Sequence, residues 1–161
     1  MLVIVDMQRR ILDMTDKNYV QGAQALIPKL KTRLEKARES REFVLFTKDI
    51  PIEYKNKAEE LPKLKIIEEL SPLPNEVVFK KNYYTLPPES LVEIRKLAEK
   101  NKDLNGIEVA GAELSLCVLA NILALQSIFP EEDFYLNSEL VTGNKFNKVT
   151  LEMLQDFNVR V

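Results

Sequence analysis

The 161-residue sequence has no histidine, no tryptophan, one cysteine and only four glycines. Without imidazole there is no Ser-His-Asp or Cys-His couple, no HExxH helix and no histidine-bearing zinc finger. A single cysteine cannot close an internal disulfide, which fits a reducing compartment, and it cannot build a thiolate zinc or iron–sulfur centre. A carboxylate-only magnesium or calcium site would need a spaced acidic loop, and none is visible. Gly22, Gly106, Gly111 and Gly143 are too scattered for a dinucleotide turn or a phosphate loop. Charge of one sign is also lacking: 23 basic against 25 acidic residues leave a net charge of −2, which points to neither a nucleic-acid nor an anionic-membrane partner. The most apolar run, 114–125, falls short of the roughly 20 residues a membrane span requires. The opening Met1-Leu2-Val3-Ile4-Val5-Asp6 has no basic leader, so a soluble, cytoplasmic protein is expected.

What is present is an ordinary globular composition, 45% apolar and 30% charged, at a length that suits one domain over 1–161. Leu2–Val5 reads as a short, fully buried strand, and so do 43–46, 77–79 and 107–110. Apolar residues at 3–4 spacing predict a helix over 23–40, with Pro28 tolerable only near its start, and another over 89–100 begun by Pro88. The segment 115–129 is apolar nearly all round, predicts a buried helix, and is closed by Pro130. Strands over 134–136 and 159–161 flank a last helix near 148–157. The charge-rich stretch 53–70 fits either a solvated helix or a loop. Strand and helix alternate throughout, which predicts an α/β fold: three layers, doubly wound, around a mainly parallel six-stranded sheet.

In such a sheet ligands bind beyond the carboxyl ends of the strands. Asp6 follows the first strand, Lys80 and Lys81 the third, and Cys117 the fourth across a short loop. Each has an ordinary reading: the aspartate as a turn or cap, the lysine as a solvated side chain, the cysteine as small core packing. At one sheet edge, however, a thiol, a carboxylate and an ammonium make a working set without histidine.

These residues carry a resemblance. LVIVDMQ, VVFKKNYYTL and VAGAELSLCVLANILAL, in this order over nearly the whole chain, resemble the isochorismatase-like cysteine hydrolases, among them nicotinamidases and N-carbamoyl amidases. The resemblance implies Cys117 as nucleophile, Asp6 as its proton acceptor and Lys80 as the cation holding both. It also implies an oxyanion hole from the backbone N–H groups of Cys117 and Glu113, the latter after a cis Ala112–Glu113 bond. Gln8, Tyr83 and Tyr84 would line the substrate pocket. Lys80 is preferred to Lys81 because the family lysine precedes its first aromatic by three, and alternation lets only one of the two face the site. Ser115 as N-cap would put Cys117 in a first helical turn, where N–H groups and the lysine favour thiolate.

The departures matter as well. Metal-binding relatives use an Asp-x-His pair, and here Asp49-Ile50-Pro51 keeps only the aspartate, so no metal and no cofactor are expected. Leu114-Ser115, Asn121 and Asn137 also leave the family pattern. The expected function is a metal-independent cysteine hydrolase of small amide, carbamoyl or related C–N substrates, forming a homo-oligomer. The alternative is a weakly active or inactive member that serves ligand binding or assembly.

Overall fold

The structure is a computed structural model and describes residues 1–100 and 104–161. Its strands are β1 (Leu2–Val5), β2 (Val44–Asp49), β3 (Val77–Lys81), β4 (Ile107–Ala112), β5 (Phe134–Tyr135), β6 (Val141–Thr142) and β7 (Val159–Arg160). Its helices are α1 (Ala23–Glu39), α2 (Pro88–Lys100), α3 (Leu119–Ile128) and α4 (Asn147–Asp156). The sheet runs β3-β2-β1-β4-β5-β7, and every pairing is parallel. Seven strands replace the expected six, because Val141–Thr142 pairs with the carboxyl end of β4, beside Gly111 and Ala112. That pair is too short to show as a strand pattern in sequence.

Alternation along β1 divides the core. Leu2 and Ile4 meet Ala23, Leu26, Leu30 and Leu34 of α1 on one face. Val3 and Val5 meet Ile94 of α2, Ile122 and Leu125 of α3, and Leu154 of α4 on the other. All four residues of β1 are buried, so this strand carries no solvent face and reads as a continuous apolar run. Each such side chain contributes roughly 1.5–3 kcal/mol on burial.

Two local expectations are corrected and one open alternative is decided. Pro28 lies inside α1 rather than at its start, since the helix begins at Ala23. The undecided stretch folds as three single turns, Ile52–Tyr54, Pro62–Leu64 and Glu68–Leu70, pinned by buried Leu64, Ile67 and Leu70. The apolar helix is not buried all round: Leu123 of α3 and Leu116 just before it are exposed.

Gly111 has a mechanical role. Its φ is +117°, and a Cβ there would stand 2.3 Å from the Val5 carbonyl oxygen. Only glycine lets β4 close this tightly on β1, and the contact sets the end of β1, where Asp6 begins, beside the turn that carries Cys117.

Candidate active site

Asp6 leaves β1 in the left-handed region, φ 49°, a conformation that aspartate tolerates better than most residues. Thr47 of β2 holds it, donating its hydroxyl to Asp6 Oδ1 at 2.6 Å and accepting the Asp6 N–H at 3.2 Å. Gln8, completely buried, clamps the end of β2. Its Oε1 accepts from Asp49 N at 2.9 Å, and its Nε2 donates to the carbonyls of Asp49 at 3.0 Å and Leu64 at 2.7 Å. Gln8 lies in the cavity wall as expected of a pocket residue, but its amide is spent on backbone, so it shapes the wall.

The lysine at the site is Lys81. Its side chain is 0% exposed, and its Nζ lies 2.7 Å from Asp6 Oδ2, 3.6 Å from Asp49 Oδ1 and 3.5 Å from Cys117 Sγ. It also donates to the Tyr83 carbonyl at 2.7 Å. Lys80, the expected residue, points to the opposite face, 51% exposed and paired with Glu59 at 2.7 Å. The reason is the pleat. Phe79 is 7% exposed and Val78 39%, so Val77, Phe79 and Lys81 form the inward set while Val78 and Lys80 face outward. The face of β3 that carries Val78 and Lys80 is open to solvent, so the run 77–79 is not buried on both sides as its composition suggests.

Cys117 sits in a wide π-type turn, Leu114–Val118, that precedes α3. The residue before this turn is Glu113, so Ser115 lies within it and is no cap. The Ala112–Glu113 bond is cis. The Glu113 carbonyl accepts from Leu116 N and Val118 N, both at 3.1 Å, and the Cys117 N–H between them is not among its donors. Asn121, completely buried, ties the turn to the tyrosine loop: its Nδ2 donates to the Cys117 carbonyl at 2.6 Å and the Tyr84 carbonyl at 3.0 Å, while Oδ1 accepts from Leu86 N at 2.9 Å.

Burial pushes the Cys117 thiol up to about 12, with the neighbouring Asp6 carboxylate adding to the rise and Lys81 opposing it. This corrects the expectation of a preformed thiolate: desolvation and Asp6 outweigh the ammonium. Burial alone would lower the pKa of Lys81, but Asp6, Cys117 and Asp49 outweigh it and the net shift is upward. Asp49 is raised, chiefly by burial. The cluster thus holds two cations, Arg10 and Lys81, against two carboxylates, Asp6 and Asp49, with a neutral thiol. Asp6 Oδ2 is buried and, among the described residues, meets Lys81 as an ion pair at 2.7 Å on the side of the thiol.

Asp6, Gln8, Arg10, Asp49 and Cys117 line a cavity of about 400 Å³, together with Tyr83, Tyr84, Glu113 and Leu116, while Lys81 touches Asp6, Asp49 and Cys117 without itself lining it. The structure therefore brings Asp6, Gln8, Tyr83, Tyr84, Glu113 and Cys117 to one place and leaves Lys80 outside. Sequence reasoning missed Thr47, which shares a face of β2 with Asp49, and Arg10, for which no sequence signal exists. The isochorismatase domain model matches residues 1–127, which hold all of these groups. The chain belongs to the isochorismatase family of hydrolases.

Among solved structures the chain is similar to a pyrazinamidase of Pyrococcus horikoshii in complex with zinc, at 18% identity, TM-score 0.81, covering 99% of this chain and 96% of that one. It is also similar to a cysteine hydrolase from Pseudomonas syringae pv. phaseolicola, at 18% identity, TM-score 0.81 and 99% and 86% coverage. An isochorismatase family protein from Desulfovibrio vulgaris aligns at 15% identity, TM-score 0.80 and 99% and 90% coverage. No curated protein matches the sequence.

The zinc of the Pyrococcus protein prompts the question of whether the present residues fit a metal. They do not. Asp49 Oδ2 is taken by Arg10 and Oδ1 faces Lys81, Pro51 offers no ligand atom, and two fixed cations oppose a third. Among the described residues no three His, Cys, Asp or Glu side chains are grouped to hold a metal ion. Nor, among those residues, is any helix long and apolar enough to cross a membrane.

Proposed function

We propose that this isochorismatase-family hydrolase is a metal-independent cysteine amidase acting on small amide, carbamoyl or related C–N substrates through Asp6, Lys81 and Cys117. The observation that carries the reading is the buried Lys81 ammonium between a carboxylate at 2.7 Å and a thiol at 3.5 Å. As Cys117 Sγ attacks the substrate carbonyl, its proton passes to Asp6 Oδ2. The charge of the Asp6–Lys81–Asp49–Arg10 cluster then changes only as the substrate oxygen becomes anionic. The backbone N–H groups of Glu113 and Cys117 receive that oxyanion. Collapse breaks the C–N bond, Asp6 returns the proton to the leaving amine, and an S-acyl enzyme remains. Asp6 then deprotonates water, whose oxygen cleaves the thioester to acid, and Asp6 passes that proton to the departing thiolate to restore the free thiol. A thiol that is neutral at rest suits this route, because the proton moves as the S–C bond forms.

The test is ammonia release from a panel of small amides, with whole-protein mass spectrometry for an acyl adduct on Cys117, the only cysteine. Turnover with an adduct that Cys117→Ser abolishes is expected. A protein that binds amides without either signal is instead the ligand-binding or assembly member. The reading extends to a homo-oligomer in the cytoplasm, for which exposed Leu116, Leu123, Val149 and Met153 supply apolar surface. Light scattering that gives only monomer at high concentration would count against self-association.

A further inference from the structure

Arg10 is a cation to which the mechanism above gives no contact with the substrate. It lies on a single turn, Arg9–Leu12, between β1 and α1, is 7% exposed and lines the cavity that holds Cys117. Among the described residues its hydrogen bonding is confined to Nη2 on Asp49 Oδ2, and its Nε is buried with no acceptor. A guanidinium carries five N–H donors in a planar fork, and an unmet buried donor is costly. Lys81 differs: its ammonium is already engaged by Asp6, Asp49, the Tyr83 carbonyl and Cys117. Asp49 is shared by both cations, so the charge of Arg10 is only partly matched. The same cavity wall carries apolar Ile11, Val20 and Ile52, with Lys17, Asn18 and Glu53 as its polar members on neighbouring positions of the chain.

We propose that Arg10 is a specificity-determining residue that binds a carboxylate on the substrate, set apart from the scissile amide by a short apolar spacer. The preferred substrates are then ω-amic acids, with a carboxylate at one end and a primary amide at the other. The chemistry follows from the donor set: a planar fork matches a planar two-oxygen acceptor better than a single carbonyl does. The inference rests on the amidase reading, and it gives the Asp49 corner, which does not fit a metal, a fixed organic cation with donors to spare.

The test compares succinamate with butyramide, its neutral counterpart, for the full chain and for Arg10→Met and Arg10→Lys, with oxamate, malonamate and glutaramate to find the best spacer. A second arm measures succinate binding by calorimetry, which needs no turnover. In the unaltered protein kcat/KM for succinamate is expected to exceed that for butyramide by about 10- to 100-fold, the scale of a charge-assisted hydrogen-bond pair. That ratio should fall toward one in Arg10→Met and to an intermediate value in Arg10→Lys, which keeps the charge without the fork. Succinate should bind Arg10→Met at least about tenfold more weakly. A ratio near one in the unaltered protein, or the same ratio in both proteins, overturns the proposal, as does an equal loss on both amides. If Arg10→Met does not fold, Arg10→Lys decides by the same ratio. If no amide is hydrolysed, the amidase reading fails on its own and the succinate arm decides. Binding that depends on Arg10 then keeps the carboxylate site, and absent or Arg10-independent binding removes it.

Discussion

The two ends of the sheet both carry a cavity lined with charge, and they differ in how that charge is matched. At the amino ends of the strands a hollow of about 730 Å³ is bordered by Arg33, Glu42, Glu108 and Arg160. There every nitrogen of Arg33 is engaged: Nε donates to Glu108 at 2.6 Å, and Nη1 and Nη2 donate to Glu42 at 3.1 and 2.8 Å. Arg160 likewise meets Asp133 at 3.0 Å. At the carboxyl ends the hollow is smaller, about 400 Å³, but Lys81 next to its wall is shared among two carboxylates and a thiol, and its arginine is under-used. Size alone would choose the amino end. Matched ion pairs hold structure together, whereas a buried cluster with a transferable proton and unspent donors is equipped for chemistry.

The sharpest way to break this comparison is to remove a cation from each end. Lys81→Met leaves Asp6 buried without its ion pair, so a loss of about 3–5 kcal/mol in urea-unfolding stability is expected, together with loss of amide hydrolysis. Lys80→Met, one residue away on the outer face, should leave both measurements nearly unchanged. An equal effect of the two lysines would refute the assignment.

Arg33→Met should cost less, about 2–3 kcal/mol, because Glu42 and Glu108 keep partial access to water. It should leave kcat/KM for amides intact. A fall in activity without a fall in stability would show that the amino end takes part in function.

The third expectation separates the roles of Asp6. Since Asp6 raises the Cys117 pKa, Asp6→Asn should speed alkylation by iodoacetamide at pH 7–8 in the folded protein. The same change should remove amide turnover, because no proton acceptor remains. Alkylation and hydrolysis that fall together would mean that Asp6 only supports the fold.

The smallest effect is a dependence of stability on alkaline pH. The thiol is raised from 9.0 to about 12, so the folded state holds its proton where the unfolded chain has lost it. The contribution is complete below pH 9 and declines as pH rises toward 12. Lys81, also raised, adds a loss of the same sign from above its ordinary 10.5. Unfolding measured between pH 8 and 11 should show this decline, with a shallower slope in Cys117→Ala.

Much of this was legible in the chain. Fully apolar β1 could only be a central strand, since it has no residue for a solvent face. Asp6 and Cys117 follow strands at the edge where ligands bind in such sheets, and the missing histidines narrow acid–base chemistry to carboxylates, lysines, tyrosines and the one thiol. Sequence spacing favours Lys80, whereas the structure places Lys81 beside Asp6 and Cys117. That choice depends on which face of β3 is covered, and on an edge strand the answer comes from neighbouring layers. Phe79 packs against α2 and α3 while Val78 meets water, and Lys81 follows Phe79 inward. The state of the thiol was decided the same way: its pKa is a property of surrounding burial and of a carboxylate 111 positions away in the chain. Arg10 joins Asp49 across 39 positions, a meeting that no local pattern encodes. Composition and alternation determine which side chains lie at the sheet's edge, because they depend on period and polarity. Charge pairing and protonation were left to the tertiary structure, because both depend on desolvation and on distances between segments far apart in sequence.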